Sequence, residues 1–101
     1  MREAPIESFL QTQVMGVGGA AAKFKPTIRG EPDQLISFPL TKHHCLVEVK
    51  WATGVQAQQH QLRRHQYWRD HGMDVVVLTS KAQILAWLHG PMRKHWATDE
   101  V

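Results

Sequence analysis

The sequence predicts an α/β fold in which a mixed sheet of about four strands is flanked by helices. Three observations predict it. Apolar residues recur at helical spacing near the N-terminus, at Ile6, Phe9, Leu10 and Val14. Two apolar segments of strand length, residues 34–38 and 45–50, are separated by a short link that suits an antiparallel hairpin. A polar helical stretch then leads into the β-branched run Asp74-Val75-Val76-Val77-Leu78-Thr79. Strand, helix, strand in that order implies a parallel pair with a right-handed crossover.

The elements follow in chain order. Residues 5–14 form the first helix, with Pro5 acceptable in its first turn. Glu7 lies on the flank of its apolar stripe, in line with Leu10 and Val14, where an acid can look along the buried face toward the sheet. Gly16-Val17-Gly18-Gly19 stops the helix, and residues 20–24 suit an edge strand. The stretch Pro26-Thr27-Ile28-Arg29-Gly30 is a turn leading to Asp33. Lys23, Lys25 and Arg29 along this approach are either phosphate contacts or an ordinary solvated edge, since lysine also protects edge strands from aggregation.

After the hairpin strands, Trp51-Ala52-Thr53-Gly54 ends the second of them, and residues 57–71 read as a polar helix. Its inward stripe is expected to be Leu62, His65 and Trp68, with Gln58 and Gln61 beside them, while Arg63, Arg64 and Arg69 are solvated or touch a polyanion. The run 74–79 reads as a strand buried on both faces. Ser80-Lys81-Ala82-Gln83 resembles a capping box that opens a last helix through Ile84, Leu85 and Leu88, closed by Gly90-Pro91. Residues 1–90 are thus expected to form one domain, and residues 91–101 a tail without fixed structure. Trp68 and Trp87 hold core positions, whereas Trp51 and Trp96 are freer.

Bulk properties narrow the function. A chain of 101 residues suits one small core, so function must sit on that core. Twelve Lys and Arg against nine acids give a formal charge of +3, a balance that suits a polyanionic partner without requiring one. No apolar run approaches the length of a membrane span, and Met1-Arg2-Glu3-Ala4-Pro5 lacks the apolar stretch of a signal peptide, so a cytoplasmic location is expected. The single cysteine, Cys45, excludes an internal disulfide and reads as a buried small hydrophobe. Zinc at His43-His44-Cys45 is disfavoured, because adjacent strand residues point apart and no paired Cys-x-x-Cys exists.

Chemistry concentrates between Glu31 and Lys50. Both apolar strands carry acids where a core strand avoids them, and a buried carboxylate demands a compensating cation. Alternation puts Leu46, Glu48 and Lys50 on one face of their strand, opposite Cys45, Val47 and Val49. Hairpin pairing brings an acid at the start of the first strand, Asp33, toward Glu48 near the end of the second. Two hard oxygen ligands with a lysine at the rim suit Mg2+ or Mn2+ beside a phosphate. An exposed Glu48–Lys50 pair worth little energetically is the alternative.

Pro32-Asp33 followed by Glu48-Val49-Lys50 resembles the signature of the PD-(D/E)XK nuclease superfamily, and Gly30-Glu31-Pro32-Asp33 after a glycine-rich stretch is similar to its VRR-NUC branch. The resemblance covers roughly residues 3–88 and implies a restriction-endonuclease-like core. It implies that Asp33, Glu48 and the backbone carbonyl of Val49 bind one or two Mg2+ or Mn2+ ions, with Glu7 supporting the ion from the first helix. Lys50 would position or activate the attacking water. A helix glutamine would orient Lys50 or the phosphate; Gln61 matches best, with Gln58 and Gln59 as alternatives. The activity implied is hydrolysis of DNA phosphodiesters. Short free-standing members look like homodimers that cut four-way junctions and are common in phages and bacteria; a flap-cutting or nonspecific nuclease and a non-catalytic DNA-binding module are the other readings.

Overall fold

The computed structural model describes residues 3–50 and 59–98. Helix α1 (Glu3–Gly16) is followed by β1 (Ala20–Lys23), β2 (Gln34–Phe38), β3 (His43–Val49), α2 (Gln59–Asp70), β4 (Asp74–Leu78) and α3 (Lys81–His89), then a 3-10 turn, Arg93–His95. The four strands form one mixed sheet in the order β1-β2-β3-β4, antiparallel except for the parallel β3–β4 pair. The expected α/β class, the hairpin and the parallel crossover pair are all present.

One face of the sheet carries the apolar core. Ile6, Leu10 and Val14 of α1 pack with Ile36 and Phe38 of β2, Cys45, Val47 and Val49 of β3, Leu78 of β4 and Ile84, Trp87 and Leu88 of α3. Alternation does the sorting: Cys45, Val47 and Val49 enter this core, and Glu48 between them projects to the other face, where His65 of α2 meets it. Burial pushes the Cys45 thiol up to about 12, with the nearby Asp74 charge adding to the effect. Cys45 is therefore a buried thiol, as its sequence position suggests.

Four details differ from the sequence reading. In α2 the inward residues are Gln61, His65 and Trp68, one helical stripe, while Leu62 is 54% exposed. Gln61 and Leu62 both lie within a turn of His65, and the glutamine faces inward because its amide can meet Lys50. Strand β4 is not buried on both faces; it ends the sheet of the described residues, and Val76 and Val77 are half-buried. Strand β3 begins at His43 instead of Cys45, which shortens the hairpin link to residues 39–42. The C-terminal segment is built onto the core: Met92 is buried, and the Trp96 indole N–H donates to the Leu88 carbonyl at 2.9 Å. An amphipathic turn too short to show periodicity gave no signal in the sequence. Trp51, Gln58 and residues 99–101 lie outside the described residues.

The last helix starts as its sequence directs. The Ser80 hydroxyl accepts from the Gln83 N–H at 3.1 Å, and Gln83 Oε1 accepts in return from the Thr79 N–H at 2.8 Å. Gly30 shows a different constraint. It holds φ +90, and a Cβ there would sit 2.8 Å from the His60 carbonyl oxygen, so the turn before Asp33 packs directly on the start of α2. Gly30→Ala is expected to lower stability by roughly 1–2 kcal/mol from the backbone conformation alone, before the contact with His60 is counted. Urea unfolding of the two proteins measures it.

Candidate active site

Register brings the acids together. Gln34 pairs with Val47, so the residue before the first and the residue after the second, Asp33 and Glu48, lie side by side on the face that α2 covers. Leu35 and Leu46, the next pair on that face, extend the wall below them. From the other side, Lys23 at the end of β1 pairs with Gln34, and the Phe24 N–H donates to the Asp33 carbonyl at 3.0 Å. These bonds fix the backbone of Asp33 between two strands.

Glu7 reaches the same place from α1. Its carboxylate accepts from Lys23 Nζ at 2.6 Å, and that ammonium is 4.0 Å from Asp33 Oδ2. Burial raises the pKa of Asp33 above the ordinary aspartate value; the charges of Glu48 and Glu7 add to the rise and Lys23 opposes it. Asp33 is thus beside Glu48 in register, and the Lys23 ammonium stands between Glu7 and Asp33 in the position of a cation.

Lys50 closes the arrangement. Its backbone N–H donates to the Leu78 carbonyl at 2.9 Å, extending the β3–β4 ladder by one residue, and its side chain is only 11% exposed. Nζ lies 3.6 Å from Glu48 Oε2 and donates to Gln61 Oε1 at 3.0 Å. Of the three glutamines open in the sequence, Gln61 meets Lys50 and Gln59 is exposed. The Val49 side chain is in the core. His65, 1% exposed, places Nε2 at 3.8 Å from Glu48 Oε1, and that nitrogen has no hydrogen-bond partner among the described residues. Lys25 and Arg29 are exposed on the approach, and Lys23, exposed as well, carries its ammonium to Glu7.

The sequence reading gave Glu31 no role, and the structure gives it a definite one. Its carboxylate accepts from Arg64 Nε at 3.0 Å, Arg64 Nη2 at 3.3 Å and the Trp68 indole N–H at 2.8 Å. Burial works to raise its pKa, but the bonds from Arg64 and Trp68 outweigh it and hold the carboxyl below the usual glutamate range. Glu31 thus ties the buried Pro32 and Asp33 to α2, the helix that also supplies Gln61 and His65. The Glu31-Pro32-Asp33 sequence offered the residue, but not its partners.

The donor set fits a hard divalent cation. Glu7, Asp33 and Glu48 present only oxygen ligands, and Asp33 and Glu48 are neighbours across the β2–β3 ladder. A basic side chain already occupies part of that position.

Known proteins resemble this arrangement over most of its length. No family model matches the sequence. The chain is 40% identical over 82 residues to "Putative nuclease p44" of Acyrthosiphon pisum secondary endosymbiont phage 1, across 80% of this chain and 86% of that relative. A solved structure described as "VRR_NUC domain" superposes with a TM-score of 0.80 at 27% identity, covering 87% of this chain and 95% of that one. Its fold is the PD-(D/E)XK-like nuclease fold, here a mixed four-stranded sheet flanked by three helices. No helix among the described residues is long and apolar enough to cross a membrane. With the relative and the solved structure agreeing over more than three quarters of the sequence, this chain belongs to the VRR-NUC family of nucleases.

Proposed function

We propose that the protein is a metal-dependent DNA endonuclease that hydrolyses phosphodiesters at four-way junctions as a homodimer. The observation that carries the chemistry is the convergence of Glu7, Asp33 and Glu48 beside a Lys50 fixed by Gln61. Asp33, Glu48 and the Val49 carbonyl are the ligands in this reading, and Glu7 supports them from α1. Mg2+ or Mn2+ bound there would supply Lewis-acid polarisation of a phosphoryl oxygen and a lowered pKa for water. Lys50 Nζ then orients the attacking water and stabilises charge growing on the phosphoryl oxygens. Gln61 holds Nζ in place at 3.0 Å, a positioning role. Lys25 and Arg29 receive the phosphates flanking the cut, and Lys23 would be free to meet the DNA backbone if a cation replaced it between Glu7 and Asp33.

Junction preference rests on size and symmetry. A domain with a radius of gyration of 13.4 Å covers little duplex alone, and a two-fold dimer matches a four-way junction with two equivalent strands to cut. The test is cleavage of end-labelled four-way junction, flap and linear duplex in Mg2+ and Mn2+. Symmetric junction cuts are expected; cuts confined to flaps would keep the chemistry and replace the substrate. Lys50→Ala should lower the rate by about 10²-fold or more. Gln61→Ala should lower it less, because Lys50 remains and only its orientation is freed. An unchanged rate in Gln61→Ala, or a loss larger than that of Lys50→Ala, would remove Gln61 from the positioning role.

A further inference from the structure

Away from the acids, at the other end of the β3–β4 ladder, three metal-ligating side chains meet. Cys45 pairs in register with Asp74 on the neighbouring parallel strand, and His43, two residues before Cys45, projects from the same face. One ligand atom from each of His43, Cys45 and Asp74 lies within 4.8 Å of the others, and His43 Nε2 is 3.2 Å from Asp74 Oδ2. The pair Cys45–Asp74 is three register steps from Glu48–Val77, or about 10 Å along the strands, and Cys45 is on the opposite face from Glu48. The cluster is therefore separate from the site of the acids.

We propose that His43, Cys45 and Asp74 form a second metal site, of the class that takes Zn2+, with water completing the coordination. Adjacency in sequence does not build it; His44 points away, as strand alternation requires, and the third ligand comes from β4. Tetrahedral ligands about 2.0–2.3 Å from zinc stand roughly 3.5 Å apart, so closure needs a shift of about an ångström, which the 41% exposed Asp74 side chain can supply. A sulfur and an imidazole select a borderline-soft ion, whereas the all-oxygen acids select a hard one.

The surroundings hold the ligands ready. The His95 ring stacks on that of His43 with centroids 3.9 Å apart and planes 7° from parallel, which fixes the imidazole plane from outside. His95 also hydrogen-bonds to Thr41 through Nδ1, so the C-terminal turn is fastened over the site. Cys45 is wholly buried at the edge of the apolar core, while His43 and Asp74 are partly exposed. On binding, the thiol releases its proton to solvent and the thiolate, imidazole and carboxylate bond to the ion. A bound ion links the start of β3 to the start of the edge strand β4, beneath the C-terminal turn.

Cobalt reports on this site because a thiolate bound to Co2+ absorbs in the near ultraviolet, where a Co2+ ion on oxygen ligands does not. The full chain titrated with Co2+ is expected to show that absorption saturating at one equivalent and bleaching with Zn2+. Asp33→Ala should leave it unchanged. Cys45→Ala should abolish it, and His43→Gln or Asp74→Asn should weaken Co2+ binding at least tenfold. The last two change partly exposed side chains, so they decide the matter even if Cys45→Ala does not fold. Absence of the absorption in the folded parent, or undiminished affinity in both His43→Gln and Asp74→Asn, overturns the proposal.

Discussion

Asp33→Asn is expected to abolish detectable cleavage while leaving the fold at least as stable as the parent. The rate should fall by at least about 10³-fold, since a lost metal ligand removes several kcal/mol of transition-state stabilisation. Stability moves the other way for an electrostatic reason. The Asp33 carboxyl has a raised pKa, first through burial and then through the charges of Glu48 and Glu7, so its ionised form is disfavoured in the folded chain. A raised carboxyl pKa contributes stability that is fully present below the unfolded value and is lost as pH rises through the folded value. At neutral pH the metal-free parent has lost that contribution, and the isosteric amide removes the repelled charge altogether. Thermal melts without divalent ions should therefore give Asp33→Asn an equal or higher midpoint, and added Mg2+ or Mn2+ should raise the parent's midpoint more than the variant's. A lower midpoint for the variant at neutral pH would mean that Asp33 is held by its neighbours as a structural ion and is not strained by them.

What was legible in the sequence is what depends on short-range geometry. The hairpin link is brief, so register follows from it, and strand alternation then puts Glu48 and Lys50 on the face opposite Val47 and Val49. The convergence of Asp33 with Glu48 needed nothing more. Helical periodicity puts Glu7 on the flank of the α1 stripe and Gln61 beside that of α2, but their roles at the site come only from the family resemblance. Gln61 and Leu62 are adjacent and both read as inward, yet only the glutamine is, because a buried lysine needs its acceptor while Leu62 stays exposed. The β-branched run of β4 reads as an interior strand, yet its place at the sheet edge is a property of strand order, which composition does not encode. Residues that meet across long separations were silent: Asp74 reaches His43 from 31 positions away. The burial of Met92 and the packing of the partly buried Trp96 likewise depend on a surface that α3 and the sheet create only once folded.

Glu31→Ala carries the second large expected effect, and it separates positioning from ligation. Glu31 holds Arg64 and Trp68, 33 and 37 residues away, through side-chain hydrogen bonds. Truncation leaves the Trp68 indole N–H and the Arg64 guanidinium without that acceptor, and it frees the turn that fixes Asp33. A shift of about 1 Å in Asp33 is enough to cost on the order of 10²-fold in rate. The loss should appear in the rate at saturating metal, and with it a weaker apparent affinity for Mg2+, because the ligands are displaced but still present. High Mn2+ should then restore part of the activity of Glu31→Ala and none of that of Asp33→Asn. The pH dependence of stability gives an independent reading. The Glu31 pKa is lowered because the Arg64 and Trp68 bonds outweigh burial, so its contribution is present above the unfolded value and is lost as pH falls through the folded one. The parent should therefore lose its stability advantage over Glu31→Ala on acidification below the ordinary glutamate range. If the gap between the two proteins persists there unchanged, the carboxylate does not act through its charge, and packing against α2 is what Glu31 supplies.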